Sequence, residues 1–107
     1  MADLQQIFGG KKITVMGLGL LGRAVNDAKF LAEHGAELIV TDLKDDEELR
    51  TSLDILKPFS NIRYRLGGHV LEDFAHCDYI LKAAGVPDDS PFLIEARKNN
   101  IPIKMSA

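Results

Sequence analysis

The chain has 107 residues, 46% of them hydrophobic and 27% charged, which suits one soluble globular domain built on one core. Its formal charge of −3 leaves no basic footprint for nucleic acid. No apolar run approaches the roughly 20 residues that span a bilayer.

Residues 1–12 are a lead-in without the basic-then-apolar order of a secretory signal. Gly9-Gly10-Lys11-Lys12 reads as a turn that delivers the chain to a first strand over Lys12–Met16. That strand is an apolar run without clean alternation, as expected where both faces of a parallel strand are buried. Gly17, Gly19 and Gly22 follow in G-x-G-x-x-G spacing. In a strand-turn-helix, Gly17 allows the tight turn, Gly19 lets a phosphate approach the backbone, and Gly22 lets the helix pack closely on the strand. The helix points free N–H groups and its positive dipole end over the turn, so an anion is the natural guest.

The helix is predicted over Leu20–His34, with Leu21, Ala24, Val25, Ala28, Leu31 and Ala32 on one face and Gly35 as the stop. His34 is read as a surface residue near a helix C-terminus. Glu37–Asp42 is the second strand. Asp42 lies 20 residues after Gly22, where a nucleotide-binding βαβ unit places an acid beside the glycine turn, within reach of a ribose or base. The other reading is a loop acid that caps the next helix, and the glycine spacing favours the ligand role. Lys44 lies just past Asp42 on the same side.

Asp45 with Glu48 forms a capping-box pattern ahead of a helix face marked by Leu49, Leu53 and Leu56 and stopped by Pro58. Asn61–Leu66 alternates apolar and basic residues, as an edge strand does. Gly67-Gly68-His69 is a turn; His69 could touch a ligand there, but a loop histidine is more often just solvated. Val70–Phe74 is a short helix. His76-Cys77-Asp78 is not read as a metal site, because adjacent side chains in a short connection rarely converge. Cys77 is the only cysteine, which excludes an internal disulfide and suits a reducing cytoplasm.

Tyr79–Lys82 is the fourth strand and opens into the loop Ala83-Ala84-Gly85-Val86-Pro87-Asp88-Asp89. Ser90-Pro91 starts a helix that ends near Asn99-Asn100. Ile101–Met105 is a fifth strand. Alternating strands and helices with short connections predict an α/β, Rossmann-like open parallel sheet of five strands, order 3-2-1-4-5, with helices on both faces. Strands one and four then flank the topological switch point, and the Gly85 loop faces the glycine turn across the crevice. These residues alone specify an anionic, nucleotide-like ligand without distinguishing a dinucleotide from a nucleotide sugar.

From Lys11 to Gly22-Arg23, through Thr41-Asp42-Leu43-Lys44 and Leu81-Lys82-Ala83-Ala84-Gly85-Val86-Pro87, to Ser90-Pro91 and Glu95-Ala96-Arg97, the chain resembles the N-terminal domain of the Mur ligases. The resemblance implies a domain that holds the uridine diphosphate part of UDP-N-acetylmuramoyl-L-alanine, for an ATP-dependent ligase that adds D-glutamate in cytoplasmic peptidoglycan synthesis. It implies that Leu20 and Leu21 offer backbone N–H groups to the diphosphate at Gly17, Gly19 and Gly22. Asp42, Leu43 and Lys44 would lie along the uracil, and Gly85 would close the opposite side. Such ligases form an acyl phosphate with ATP and magnesium, which the amine of D-glutamate attacks. The ATP-binding and C-terminal domains that do this are not expected in residues 1–107, which contain no G-K-[ST] sequence. The domain itself is therefore expected to carry no cofactor, catalytic residue or metal, and to be inactive alone, with a covalently linked ATP-binding domain in the parent. Two other readings remain. One is an NAD-binding domain of an oxidoreductase or sensor, in which Asp42 suits a ribose 2′-OH. The other is a non-catalytic folding unit, suggested by Leu21 where the family often has Ser or Thr, by the apolar Leu43, and by Ala83-Ala84 where it often has Ser-Pro.

Overall fold

The central strand is β1, Lys12–Met16, whose side chains are buried on both faces of the sheet from Ile13 onward. The computed structural model describes residues 8–18, 23–83 and 85–105. β1 pairs in parallel with β2, Glu37–Asp42, on one side and with β4, Tyr79–Lys82, on the other. β3, Ile62–Leu66, and β5, Ile103–Met105, form the two edges, and the five-stranded order is β3-β2-β1-β4-β5, as the sequence predicts. One rung near the carboxyl ends aligns Arg65, Thr41, Met16, Lys82 and Met105 across all five strands.

Alternation along the strands feeds two cores. Ile13, Val15, Leu38, Val40, Ile62 and Leu81 meet α1, Arg23–Glu33, and α2, Arg50–Leu56, on one face. Met16 and Ile80 meet Phe74, Leu93 and Ala96 on the other, the last two carried by α3, Pro91–Lys98. The predicted apolar face of α1 is buried at Ala24, Val25, Ala28, Leu31 and Ala32, while Leu21 lies outside the described residues.

The helices α1 and α3 end in the same way. After α1, the Gly35 N–H reaches the Ala32 carbonyl and the Ala36 N–H reaches that of Leu31, with Gly35 at φ 89°. After α3, Asn100 takes the equivalent position at φ 59°, its N–H bonded to Arg97 and that of Ile101 to Ala96. Each is a Schellman stop, which needs a left-handed residue that Gly or Asn supplies with little strain. Ser90 caps α3 by accepting from the Phe92 N–H, with Pro91 at the first helical position.

β5 begins at Ile103 rather than Ile101, and two connections also differ from expectation. Asp45 and Glu48 do exchange the reciprocal capping-box bonds, at 2.9 and 3.3 Å, but they close an irregular turn. There, Leu49 bonds back to Asp45 and Arg50 only to Glu47, so the regular helix begins at Arg50. The third crossover contains a single 3-10 turn, Leu71–Phe74. It covers the sheet over β1 and β4 but is too short to shield β2 and β3. That leaves a groove of about 500 Å³ on the open face, lined among others by Thr14, Ile39, Arg63, Arg65, Asp73 and Cys77.

Candidate nucleotide site

At the carboxyl edge of the sheet the chain leaves β1 through Gly17, whose φ of 87° is one that side chains rarely adopt. The Gly17 N–H donates to the Thr41 carbonyl at 2.8 Å, which ties the turn to the end of β2. A Cβ on Gly17 would stand 3.3 Å from the Ala83 Cβ and 3.5 Å from Val86 Cγ2. The loop after β4 therefore faces the glycine turn, as the strand order requires. That loop is itself a turn: the Ala83 N–H donates to Met16 and the Val86 N–H to Ala83.

Asp42 is buried, 6% exposed, and both its carboxylate oxygens accept backbone N–H groups. Oδ2 accepts from Leu18 at 2.9 Å and Oδ1 from Lys44 at 3.0 Å. The acid thus ties the first residue beyond Gly17 to the strip that follows β2. The Gly68 N–H bonds the Asp42 carbonyl and the Gly67 N–H bonds that of Lys44, so the loop after β3 supports the strip from below. On that strip Leu43 is 71% exposed and Lys44 half-buried. Gly85 is exposed, and a Cβ there would meet nothing within 4 Å. Gly19, Leu20, Leu21 and Gly22, the other residues of the predicted site, lie outside the described residues, as does Ala84.

His69 is the residue whose setting sequence reasoning misjudged. It is half-buried rather than solvated. Its ring packs edge-on against Phe92 at 5.0 Å and Phe74 at 5.9 Å, and its Nδ1 lies 2.6 Å from Thr41 Oγ1. Burial lowers its pKa and the Asp42 carboxylate opposes that shift. Its partners come from β2, the third crossover and α3, and no local pattern joins them. A hydroxyl beside an imidazole has the form of a nucleophile and its base. Thr41, however, is 0% exposed, so no substrate carbonyl can reach its oxygen. Among the described residues this edge presents a clamped carboxylate, an exposed leucine and an open glycine. No group of three His, Cys, Asp or Glu among them could hold a metal.

The sequence profile described as the Mur ligase MurD-like N-terminal domain matches residues 11–105. This chain belongs to that family. It is 42% identical over 85 residues to UDP-N-acetylmuramoylalanine--D-glutamate ligase of Borreliella burgdorferi, covering 78% of this chain and 19% of the relative. It is 45% identical over 89 residues to the protein of the same name from Geobacter metallireducens, covering 83% and 19%. Among solved structures, a pseudomurein peptide ligase type C from Methanothermus fervidus superposes with a TM-score of 0.69 at 30% identity, over 90% of this chain and 19% of that one. The chain therefore spans about a fifth of the length of the curated relatives it matches, and no described helix is long and apolar enough to cross a membrane.

Proposed function

We propose that this domain binds the uridine diphosphate part of UDP-N-acetylmuramoyl-L-alanine, as the N-terminal domain of a cytoplasmic ligase that adds D-glutamate in peptidoglycan synthesis. Residues 1–107 form one substrate-binding unit, inactive alone and linked in the parent to the domain that handles ATP and magnesium. In this reading the diphosphate is held by the glycine sequence ahead of α1, at Gly17, Gly19, Leu20, Leu21 and Gly22, the uracil lies along Asp42, Leu43 and Lys44, and Gly85 closes the far side. The observation that carries this reading is the opposition of the Gly17 turn and the Gly85 loop across the switch point, in a chain of this family. Residues 1–107 contain no G-K-[ST] loop of the kind that holds ATP.

Gly85 gives the reading its sharpest support. Neither packing nor a left-handed backbone calls for glycine there, so its missing side chain suits the close approach of a ligand. The NAD reading is less favoured, because the chain belongs to the MurD-like ligase family. Calorimetric titration with UDP-N-acetylmuramoyl-L-alanine, UDP and NAD tests the choice. Heat of binding with the two uridine ligands and none with NAD is expected. Binding of NAD alone would overturn it. Gly19→Val is expected to abolish uridine-ligand binding by blocking the approach of phosphate.

A further inference from the structure

Lys82 ends β4 with its side chain 5% exposed, under the loop that carries Gly85. Its Nζ donates to the Val86 carbonyl at 2.6 Å and pairs with Asp88 Oδ1 at 3.0 Å. Asp88 is in turn held from α3, where Arg97 Nη1 donates to the Asp88 carbonyl at 2.8 Å and Nη2 lies 4.0 Å from its carboxylate. A buried ammonium left without partners is strongly unfavourable, so these contacts restrain the loop as much as they satisfy the lysine. Val86 is also the residue whose Cγ2 stands against Gly17. One bond therefore fixes both the height of the Gly85 turn and its distance from the glycine turn opposite.

We infer that Lys82, tied through Asp88 to Arg97 on α3, is a positioning residue that holds the Gly85 wall in its binding-competent place. This deepens the nucleotide-site reading and rests on it for the ligand. The mechanism is preorganisation: if loss of the brace leaves the wall in place a tenth of the time, the apparent Kd rises about tenfold. Lys82 need not touch the ligand for this to hold.

Two measurements on the 107-residue chain separate the brace from the ligand. Amide exchange followed by NMR without ligand reads the loop, and titration with UDP reads the site. Lys82→Met removes both contacts. Asp88→Asn, at a side chain 77% exposed, weakens only the ion pair, and Asp89→Asn is the neighbouring control. Exchange at Val86 should quicken about tenfold in Lys82→Met and less in Asp88→Asn, with Val15 and Leu38 unchanged. The Kd for UDP should rise in the same order, and Asp89→Asn should match the unaltered chain. Unchanged Val86 exchange in Asp88→Asn and Lys82→Met overturns the brace. So does an equal quickening at Val15, which would make Lys82 a general stability residue. If Lys82→Met does not fold, Asp88→Asn against Asp89→Asn decides. If the unaltered chain binds no UDP, the nucleotide reading fails, and the exchange result still judges the brace.

Discussion

Asp42 answers two backbone donors with one carboxylate, and this sets the cost of changing it. Asparagine keeps a single acceptor oxygen and turns an amide donor toward the other N–H. Asp42→Asn should cost about 2 kcal/mol, within the range for hydrogen bonds to a charged group. Urea denaturation of the variant would measure it, and an unchanged midpoint would refute the clamp. The two glycines that flank the crevice should behave in opposite ways. Gly17→Ala forces a Cβ onto a left-handed backbone and against Ala83, and should cost roughly 1–2 kcal/mol from the backbone alone. Gly85→Ala meets open space, should leave stability unchanged or higher by about 0.5 kcal/mol, and should still weaken UDP binding. A Gly85→Ala chain that binds UDP as well as the original would remove the ligand from that wall. His69 sets a pH response. Its folded pKa lies below the ordinary 6.5, so between the two values the unfolded chain holds more protons and stability rises with pH. The contribution is complete above about 6.5 and is lost as the pH falls through the folded value. His69→Gln should flatten the pH dependence of the denaturation midpoint in that window, and a profile identical to the parent's would contradict the assignment.

The helices owe their ends to local chemistry and their places to burial. Ser90 is the clearest local device, since its hydroxyl accepts the Phe92 N–H while Pro91 removes a donor that would otherwise lack a partner. Ser90→Ala should lower stability by about 1 kcal/mol, measurable as a shift in Tm. The Schellman stops at Gly35 and Asn100 show that two residue types meet one backbone requirement. The first turn before α2 shows where local signals give way. Its capping box forms as the sequence predicts, yet Leu49 is drawn into the core at 1% exposure and the regular helix waits until Arg50. β3 keeps the edge character written in its alternation, with Ile62 buried and Arg63, Tyr64 and Arg65 exposed. Arg65 also bonds the buried Asp73 at 3.1 Å, so a residue that reads as solvated trim anchors the third crossover.

The molecule as a whole is a sheet with one crowded edge. The glycine turn, the strip after β2, the loop after β3 and the loop after β4 all converge at the carboxyl ends of the strands, where parallel strand order leaves a crevice. A ligand that binds there should raise the Tm of the whole domain by mass action, since it favours only the folded chain. Saturating UDP-N-acetylmuramoyl-L-alanine should therefore stabilise the domain more than NAD at equal concentration.

What the sequence determined by itself was periodic or stereochemical. Unbroken apolar runs marked buried strands, helical spacing marked α1, and glycine, serine and proline marked turns and caps. From their alternation the strand order followed. Those signals are local, because they arise from backbone geometry and from the two faces of each element. The tertiary structure alone decided which polar groups meet. Nothing near Asp42 in sequence announces that Leu18, 24 residues earlier, would take one of its oxygens. Likewise, Thr41 and His69 stand 28 residues apart in the chain and 2.6 Å apart in space. Lys82 reads as the end of a strand, and only the folded loop shows it holding Val86 and Asp88. Hydrogen bonds are directional and long-range in the chain, so their partners exist only once the sheet has brought its edge together.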